Sequence, residues 1–377
     1  MYKESVLSFI MILFLSLLNG CHLFSVQSQI SSDNIINDTS KDAVYNKKSQ
    51  IPKIALLIDK SESSESMPLE YSSMLKLGIQ DVSTESIDFV SYDCSTDQFL
   101  IDAINKIIVN KVNIVVIGTE NSYINQQVIE QLQHYQSVIM TVSNDSNLAS
   151  RGVFVLGINP LESLASVVQY YLNKDYDNYL MLMVKSPNSF RLKDGLSEII
   201  RAKGAKVVKC EFYSIEDLNK HVKAISLTVD DINEMDDNLN KPILIVYDNI
   251  NDAYKIFNTS KFFSLDKKSI MATYHDANIN SIKNFSITYP GAISDNLDQK
   301  ASDIGVKRIL FKHKLFYDIG KILSENVTEL QNPDSFVSSI HNKEFNGSSG
   351  KISFEDFIAK REFLIIRTAN QGQHVLD

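Results

Sequence analysis

Two short polar runs, each directly after an apolar run, carry the side chains best suited to hold a small ligand. Gly118-Thr119-Glu120-Asn121-Ser122 follows IVVI, and Ser143-Asn144-Asp145-Ser146 follows SVIMTV. Where a strand turns into a helix, the first backbone N–H groups of the helix lack internal partners, and together with nearby hydroxyls they attract an anion. Gly118, Thr119, Ser122, Ser143 and Asn144 are therefore candidates for holding a carboxylate, whereas Glu120 would repel one if it pointed inward. Farther along, Ser186-Pro187-Asn188 and Asp248 follow two more apolar runs, and Asp248 suits an ammonium group. The same residue types also cap helices and form turns with no ligand present. The residues alone allow both readings.

Catalytic chemistry has little to stand on. The chain contains no Gly-x-Ser-x-Gly, no Gly-x-x-x-x-Gly-Lys and no His-Glu-x-x-His. Its seven histidines are scattered without the spacing of metal ligands, and the adjacent pair His275-Asp276 has no nucleophile beside it. No catalytic residue, metal or cofactor is expected; a hydrolase working through His275 and Asp276 is the alternative. The acidic stretch Thr228 to Pro242, TVDDINEMDDNLNKP, lacks the glycine and closing glutamate of a calcium loop and reads as a solvated loop. With 37 Lys and Arg against 46 Asp and Glu, the net charge of −9 disfavours a nucleic-acid partner.

The candidate loops must be positioned by the segments around them. From residue 51 short, continuously apolar runs alternate with helical ones. IALLI (54 to 58), IDFVSY (87 to 92), IVVI (114 to 117) and SVIMTV (137 to 142) read as strands. Between them lie helices with Leu75, Ile79 and Val82, then Leu100, Ile104 and Ile107, on one face. A second series follows: LESLASVVQYYL (161 to 172), YLMLMV (179 to 184), a helix stopped by Gly204, KVVKCEFY (206 to 213), ILIVY (243 to 247) and SIMAT (269 to 273). Such alternation predicts an α/β fold of two lobes, each a mainly parallel sheet flanked by helices. The expected division places residues 51–158 and 291–345 in the N-terminal lobe, and 159–290 and 346–374 in the C-terminal lobe. Cys94 and Cys210 fall in different lobes and read as unpaired thiols.

Residues Val6 to Leu18 form an apolar run of the length of a signal-peptide core, short of the roughly 20 residues that span a bilayer. Leu18-Asn19-Gly20-Cys21 after it resembles the lipobox of bacterial lipoproteins, which implies lipidation of Cys21 and removal of residues 1–20. His22 lacks the aspartate that resembles an inner-membrane retention mark, so a periplasmic, lipid-anchored protein on the outer rather than the inner membrane is expected. Residues 21–50 are rich in Ser, Asn, Gln and Asp and read as a flexible tether, with an end-to-end distance of about 30 Å.

Several segments resemble the type I periplasmic-binding fold of the leucine/isoleucine/valine-binding proteins. IPKIALLIDKSES is similar to the family's first strand and cleft loop, SYDCSTD to its second strand, and VNIVVIGTENSYINQQV to its third strand and helix. VFVLGINPLESLASVVQYYL resembles the crossing into the second lobe, and LFYDIGKIL (315 to 323) the helix that returns to the first. At the end of the chain, FNGSSGKISFEDFIAKREFLIIRTANQGQ (345 to 373) resembles the closing segment, with Phe345, Gly347, Gly350, Phe354 and Arg361 at its marked positions. Phe354 and Ile365 are expected to pack a hairpin there on the second lobe. The resemblance implies a non-enzymatic protein that takes a small polar, amino-acid-like solute. Two groups fit: solute-binding components of ABC importers, whose partner is a permease, and penicillin-binding protein activators, whose partner is a penicillin-binding protein.

Overall fold

The computed structural model describes residues 51–61, 67–83, 87–135, 137–235, 241–247, 253–274, 286–292, 296–307, 309–341, 343–369 and 372–376. The leader, Cys21, the tether, Asp248 and the pair His275-Asp276 lie outside these residues.

The first series of elements runs β1 (Lys53–Ile58), α1 (Met67–Gln80), β2 (Asp88–Asp93), α2 (Asp97–Val109), β3 (Ile114–Ile117), α3 (Ser122–Leu132), β4 (Val138–Thr141) and β5 (Val153–Val155). Its strands lie in the order β2-β1-β3-β4-β5, all parallel. Both faces are covered, which explains strands that are apolar at every position. Ile54, Leu56 and Ile58 enter one core and Ala55 and Leu57 the other; Ile114 and Val116 likewise oppose Val115 and Ile117.

The second series runs α4 (Pro160–Leu172), β6 (Asn178–Val184), α5 (Pro187–Ala202), β7 (Lys206–Tyr213), α6 (Leu218–Met235), β8 (Ile243–Tyr247), α7 (Ala253–Phe262), α8 (Leu265–Lys268), β9 (Ile270–Thr273) and β10 (Ile287–Gly291). Here the order is β7-β6-β8-β9-β10, again parallel. Leu180 and Leu182 of β6 face one core, and Tyr179, Met181 and Met183 the other. After α5, Gly204 takes a φ of +81°, the left-handed helix stop read from the sequence.

Next, α9 (Leu297–Asp303), α10 (Phe311–Glu325) and α11 (Pro333–His341) pack on the first sheet. Five strands close the fold: β11 (Phe345–Gly347), β12 (Gly350–Glu355), β13 (Ile358–Glu362), β14 (Leu364–Ala369) and β15 (Gly372–Leu376).

Two expectations are corrected. The hairpin around Phe354 extends the first sheet rather than the second: β13 runs parallel to β5 through Ile358 and Val155, and Phe354 meets Phe154 edge to face at 5.1 Å. Ile365, eleven residues after Phe354, belongs to β14 and pairs with Pro290 in the second sheet. Residues 346–362 therefore belong with the N-terminal lobe, and the crossing falls between β13 and β14. The second correction concerns Thr228 to Met235, which are the last turns of α6 and not a loop. Val229 and Ile232 continue the buried stripe of Val222 and Ile225, so the acidic side chains occupy the opposite face.

Helix α10 is pressed hard against α1. A Cβ on Gly78 would stand 2.1 Å from the carbonyl oxygen of Tyr317, and one on Gly320 would stand 2.3 Å from that of Leu75. Only glycine permits this approach. The crossing is then locked by polar contacts: Ser324 donates to the Ile79 carbonyl at 2.9 Å, and Asp81 accepts from Tyr317 and from Lys300. At the other end of α10, Tyr71 stacks on Phe316 at 4.8 Å and lies 5.1 Å from the His313 ring. The Phe316 ring lies where a Cβ on Gly118 would approach it to 3.0 Å, so this aromatic layer props the loop after β3.

His313 is 1% exposed and accepts a hydrogen bond at Nδ1 from the Leu310 amide. Its Nε2 lies 3.2 Å from a Glu70 oxygen but makes no hydrogen bond. Burial, helped by the adjacent Lys312 ammonium, pulls the imidazole down to about 4.

A carboxylate anchors the closing hairpin. Asp318, in α10 and 1% exposed, accepts at Oδ1 from the amide and hydroxyl of Ser348 and at Oδ2 from those of Ser349. Arg361 of β13 donates through Nε to the Ser349 hydroxyl at 3.0 Å and through its terminal nitrogens to the carbonyls of Leu156 and Gly157. Burial raises Asp318, with the four donors opposing it, and lowers Arg361 to about 10. Gly347 is required beside it: a Cβ there would come within 2.8 Å of Asp318 Oδ2.

The substitution Gly320→Ala is expected to lower unfolding stability by about 3 kcal/mol, because the added methyl meets backbone that cannot yield without parting two helices. Urea unfolding monitored by circular dichroism measures it. For His313, the unfolded state takes up a proton between pH 6.5 and about 4 that the folded state refuses. Stability contributed by the neutral ring is thus complete above pH 6.5 and lost as the pH falls to about 4, by up to about 3 kcal/mol. His313→Gln should flatten that part of the stability profile; a profile that rises on acidification would instead mean that Glu70 captures an imidazolium.

Candidate functional site

A cavity of about 790 Å³ lies at the carboxyl ends of the parallel strands and draws its lining from both series of elements. Ligands of open α/β sheets collect at such strand ends, and the volume suits a small molecule.

On the side of the first sheet, the lining comes from the loops after β3 and β4. Asn125, fully buried in the first turn of α3, donates from Nδ2 to the carbonyls of Thr119 and Asn121, both at 2.9 Å, and accepts at Oδ1 from Thr141. Thr141 in turn accepts from the Ser143 amide at 3.0 Å. One amide side chain therefore fixes both loops relative to each other. Behind them, the crossing segment packs flush: a Cβ on Gly157 would meet the Ser143 carbonyl oxygen at 2.0 Å and Asn144 Oδ1 at 2.5 Å.

Of the residues nominated from the sequence, Ser122, Ser143 and Asn144 line the cavity, and so does Glu120. Gly118 and Thr119 do not. Gly118 donates its amide to the Leu57 carbonyl at 2.7 Å, and Thr119 is fully buried with its hydroxyl accepting from the Asn121 amide at 3.0 Å. Ser143 lines the cavity while only 1% exposed, and its hydroxyl accepts from the Asp145 amide at 3.1 Å.

On the side of the second sheet, the turn from β6 into α5 brings Ser186, Asn188, Arg191 and Leu192 to the cavity. Ser186 caps α5 by accepting from the Ser189 amide at 3.2 Å. Arg191, in the second turn of α5, presents an exposed guanidinium, and among the described residues no carboxylate pairs with it. Tyr247 at the end of β8 and Tyr274 after β9 complete this wall, their rings 5.1 Å apart and inclined at 50°. The Tyr274 carbonyl accepts from Ser163 of α4 at 2.9 Å, which ties its backbone to the crossing helix.

Lys360 of β13 donates to Glu162 in the first turn of α4 and so joins the halves, while Arg361 beside it holds the carbonyls of Leu156 and Gly157 within the first.

Arg191, Tyr247, Tyr274 and Asn125 were not among the residues singled out by sequence. A signal existed for Tyr247, which directly ends the apolar run ILIV. Asn125 was also traceable, as a polar residue beside Ile124 in the first turn of an amphipathic helix. Arg191 lies past the turn that drew attention, one helical turn downstream of Ser186-Pro187-Asn188. Among the described residues no group of His, Cys, Asp and Glu is arranged to hold a metal ion, and no helix is long and apolar enough to cross a membrane. Cys94 is buried in the first core and Cys210 half-buried on β7; both are thiols, and burial pushes Cys210 up to about 11.

No family model matches the chain. An uncharacterized protein of Rickettsia prowazekii, RP748, is 26% identical over 356 residues, which is 93% of this chain and 94% of that protein. Among solved structures, a branched-chain amino acid ABC transporter periplasmic ligand-binding protein from Burkholderia xenovorans superposes with a TM-score of 0.71 at 12% identity, over 86% of this chain and 94% of its own. An ABC transporter substrate-binding protein from Desulfitobacterium hafniense, in complex with Leu, gives 0.66 at 11% identity, over 87% of this chain and all of its own. With identities this low the likeness speaks to architecture, and it shows that the chain has the two-lobe type I periplasmic-binding fold, the fold of the leucine/isoleucine/valine-binding proteins.

Proposed function

We propose that this protein is a non-enzymatic periplasmic binding lipoprotein that captures a small polar solute in the cavity between its two sheets and delivers it to an ABC permease. The observation that carries this reading is the composition of the cavity wall. Polar loops from one sheet face an aromatic pair and a guanidinium with no carboxylate partner among the described residues of the other, around a volume that fits one small molecule. Most of the lining is polar, with Leu161, Val184, Leu192 and the two tyrosines among its apolar members, which suits a small solute that carries polar groups of its own. Neighbours of the same fold, one of them holding Leu, support it. Lipidation of Cys21 and a tether of residues 21–50 would keep the two lobes within about 30 Å of a membrane, taken here as the outer one.

A second reading, that the protein docks on a penicillin-binding protein, rests on the leader, the Ser-rich tether and the FNGSSGKISF segment. The two readings part in a thermal-shift screen of amino acids, sugars and peptidoglycan fragments. A ligand present at one hundred times its dissociation constant stabilises the folded state by about 2.7 kcal/mol. Solute capture predicts such a shift with at least one member. A flat screen, with co-purification of a penicillin-binding protein, would favour docking instead. For the anchor, Cys21→Ser should abolish incorporation of labelled palmitate and move the protein from the membrane to the soluble periplasmic fraction; retention of label would exclude Cys21 as the acceptor.

A further inference from the structure

A parallel sheet starts all its strands at one edge, and in the first lobe that edge lies opposite the cavity. Strand β1, flanked by β2 and β3, leaves it at Lys53 and advances about 20 Å toward the cavity in six residues of roughly 3.3 Å each. Helices α2 and α3 return to the same edge. Hydrogen bonds draw the chain together there: Lys53 donates through Nζ to the Asn110 carbonyl at 3.0 Å and through its amide to the Asn113 side chain at 3.2 Å, and Ser137 donates to the Val112 carbonyl at 2.8 Å. Beside these contacts stand three large side chains that face water, Ile51 at 54% exposed, Val109 at 78% and Tyr135 at 54%. Lys53 and the exposed Lys111 accompany them, with Asp88 opposite Lys53 in the register. Elsewhere on this edge charges cancel, Arg151 against Asp334 and Lys300 against Asp81.

Single exposed apolar side chains are ordinary, and what gives this group meaning is where the chain enters. Everything before Ile51 joins the lobe here, with Lys47 and Lys48 among the four residues that precede it. We infer that this edge is the face the protein lays on its membrane, with Ile51, Val109 and Tyr135 at the headgroup level and Lys53 and Lys111 against anionic phosphate groups. The inference rests on lipidation of Cys21 as proposed above and goes beyond it by naming the surface that the anchor holds down. Tyrosine suits a bilayer interface, where its ring is buried and its hydroxyl stays wet. Lysines near an anionic leaflet are attracted to it within about a Debye length. A patch this small binds lipid weakly by itself. The tether makes it sufficient, because each encounter becomes an intramolecular one at high effective concentration. The cavity is then held off the bilayer by the length of β1.

Full-length protein carrying Cys210→Ser, reconstituted in vesicles of phosphatidylcholine, phosphatidylglycerol and a headgroup nitroxide lipid, tests the assignment. A fluorophore is placed on Val109→Cys or Tyr135→Cys at the edge, or on Tyr123→Cys or Phe190→Cys, exposed residues outside it. Cys94 is buried and Cys21 carries the lipid, so the label goes to the introduced thiol. Vesicle flotation reads the anchor, and nitroxide quenching reads the face. Quenching at positions 109 and 135 should exceed that at 123 and 190 at least about two-fold and should weaken as salt is raised. Lys53→Gln with Lys111→Gln should shrink the difference without changing flotation. Equal quenching at all four positions in protein that floats would overturn the inference and leave the anchor standing, as would stronger quenching at position 123. Protection of position 109 from aqueous iodide, with no quenching by the nitroxide lipid, would give the patch to another part of the chain and overturn the inference in the same way. If the protein fails to float, the anchor and the inference fall together.

Discussion

A carboxylate removed from water must be met by donors, and the burial of Asp318 imposes that requirement on three distant parts of the chain at once. The helix that carries it must return from the second lobe to the first sheet. The hairpin must present two consecutive amides and two hydroxyls, which demands the small residues Ser348 and Ser349 and the bare Gly347. Arg361 must then reach from the next strand to the Ser349 hydroxyl, and in doing so it grips the carbonyls where the chain leaves β5. The closing segment of the sequence is thus organised around one charge. What looks locally like a turn motif is the donor set of a helix far upstream.

A similar economy governs the cleft. Asn125 and Thr141 spend all their visible hydrogen bonds on holding two loops, and the helix caps Asn121 and Ser186 satisfy the amides that would otherwise draw anions. Backbone donors set the shape of the walls, and side chains that reach past them set the charge. This separates rigidity from selectivity: the loops are built to stay put, while Arg191 has no carboxylate partner among the described residues.

Much of the architecture was legible in sequence because parallel strands covered on both faces are apolar at every position, as in IALLI and IVVI, and because amphipathic helices separate them. The second lobe was read equally well up to Thr228. The acidic residues there outweighed a weaker clue, Val229 and Ile232 continuing the spacing of Val222 and Ile225, and so the end of α6 was missed. The hairpin around Phe354 was given to the wrong lobe because pairing partners are not written in a strand; Ile358 pairs with Val155, a partner some two hundred residues away that nothing in its own segment names. At the site, sequence identified the strand-end loops but not which side chains face inward. Thr119 and Ser122 lie three residues apart in one loop, yet one is buried in protein and the other opens on the cavity.

Strands β11 to β13 complete the first sheet and β14 and β15 the second, so neither lobe is finished until residues 345–376 are in place. The pairing of Ile358 with Val155 joins distant parts of the chain, and such contacts are slow to form. Without residues 345–376, β5 and β10 would both stand as open edges, so one stretch of chain is a shared determinant of two otherwise separate sheets.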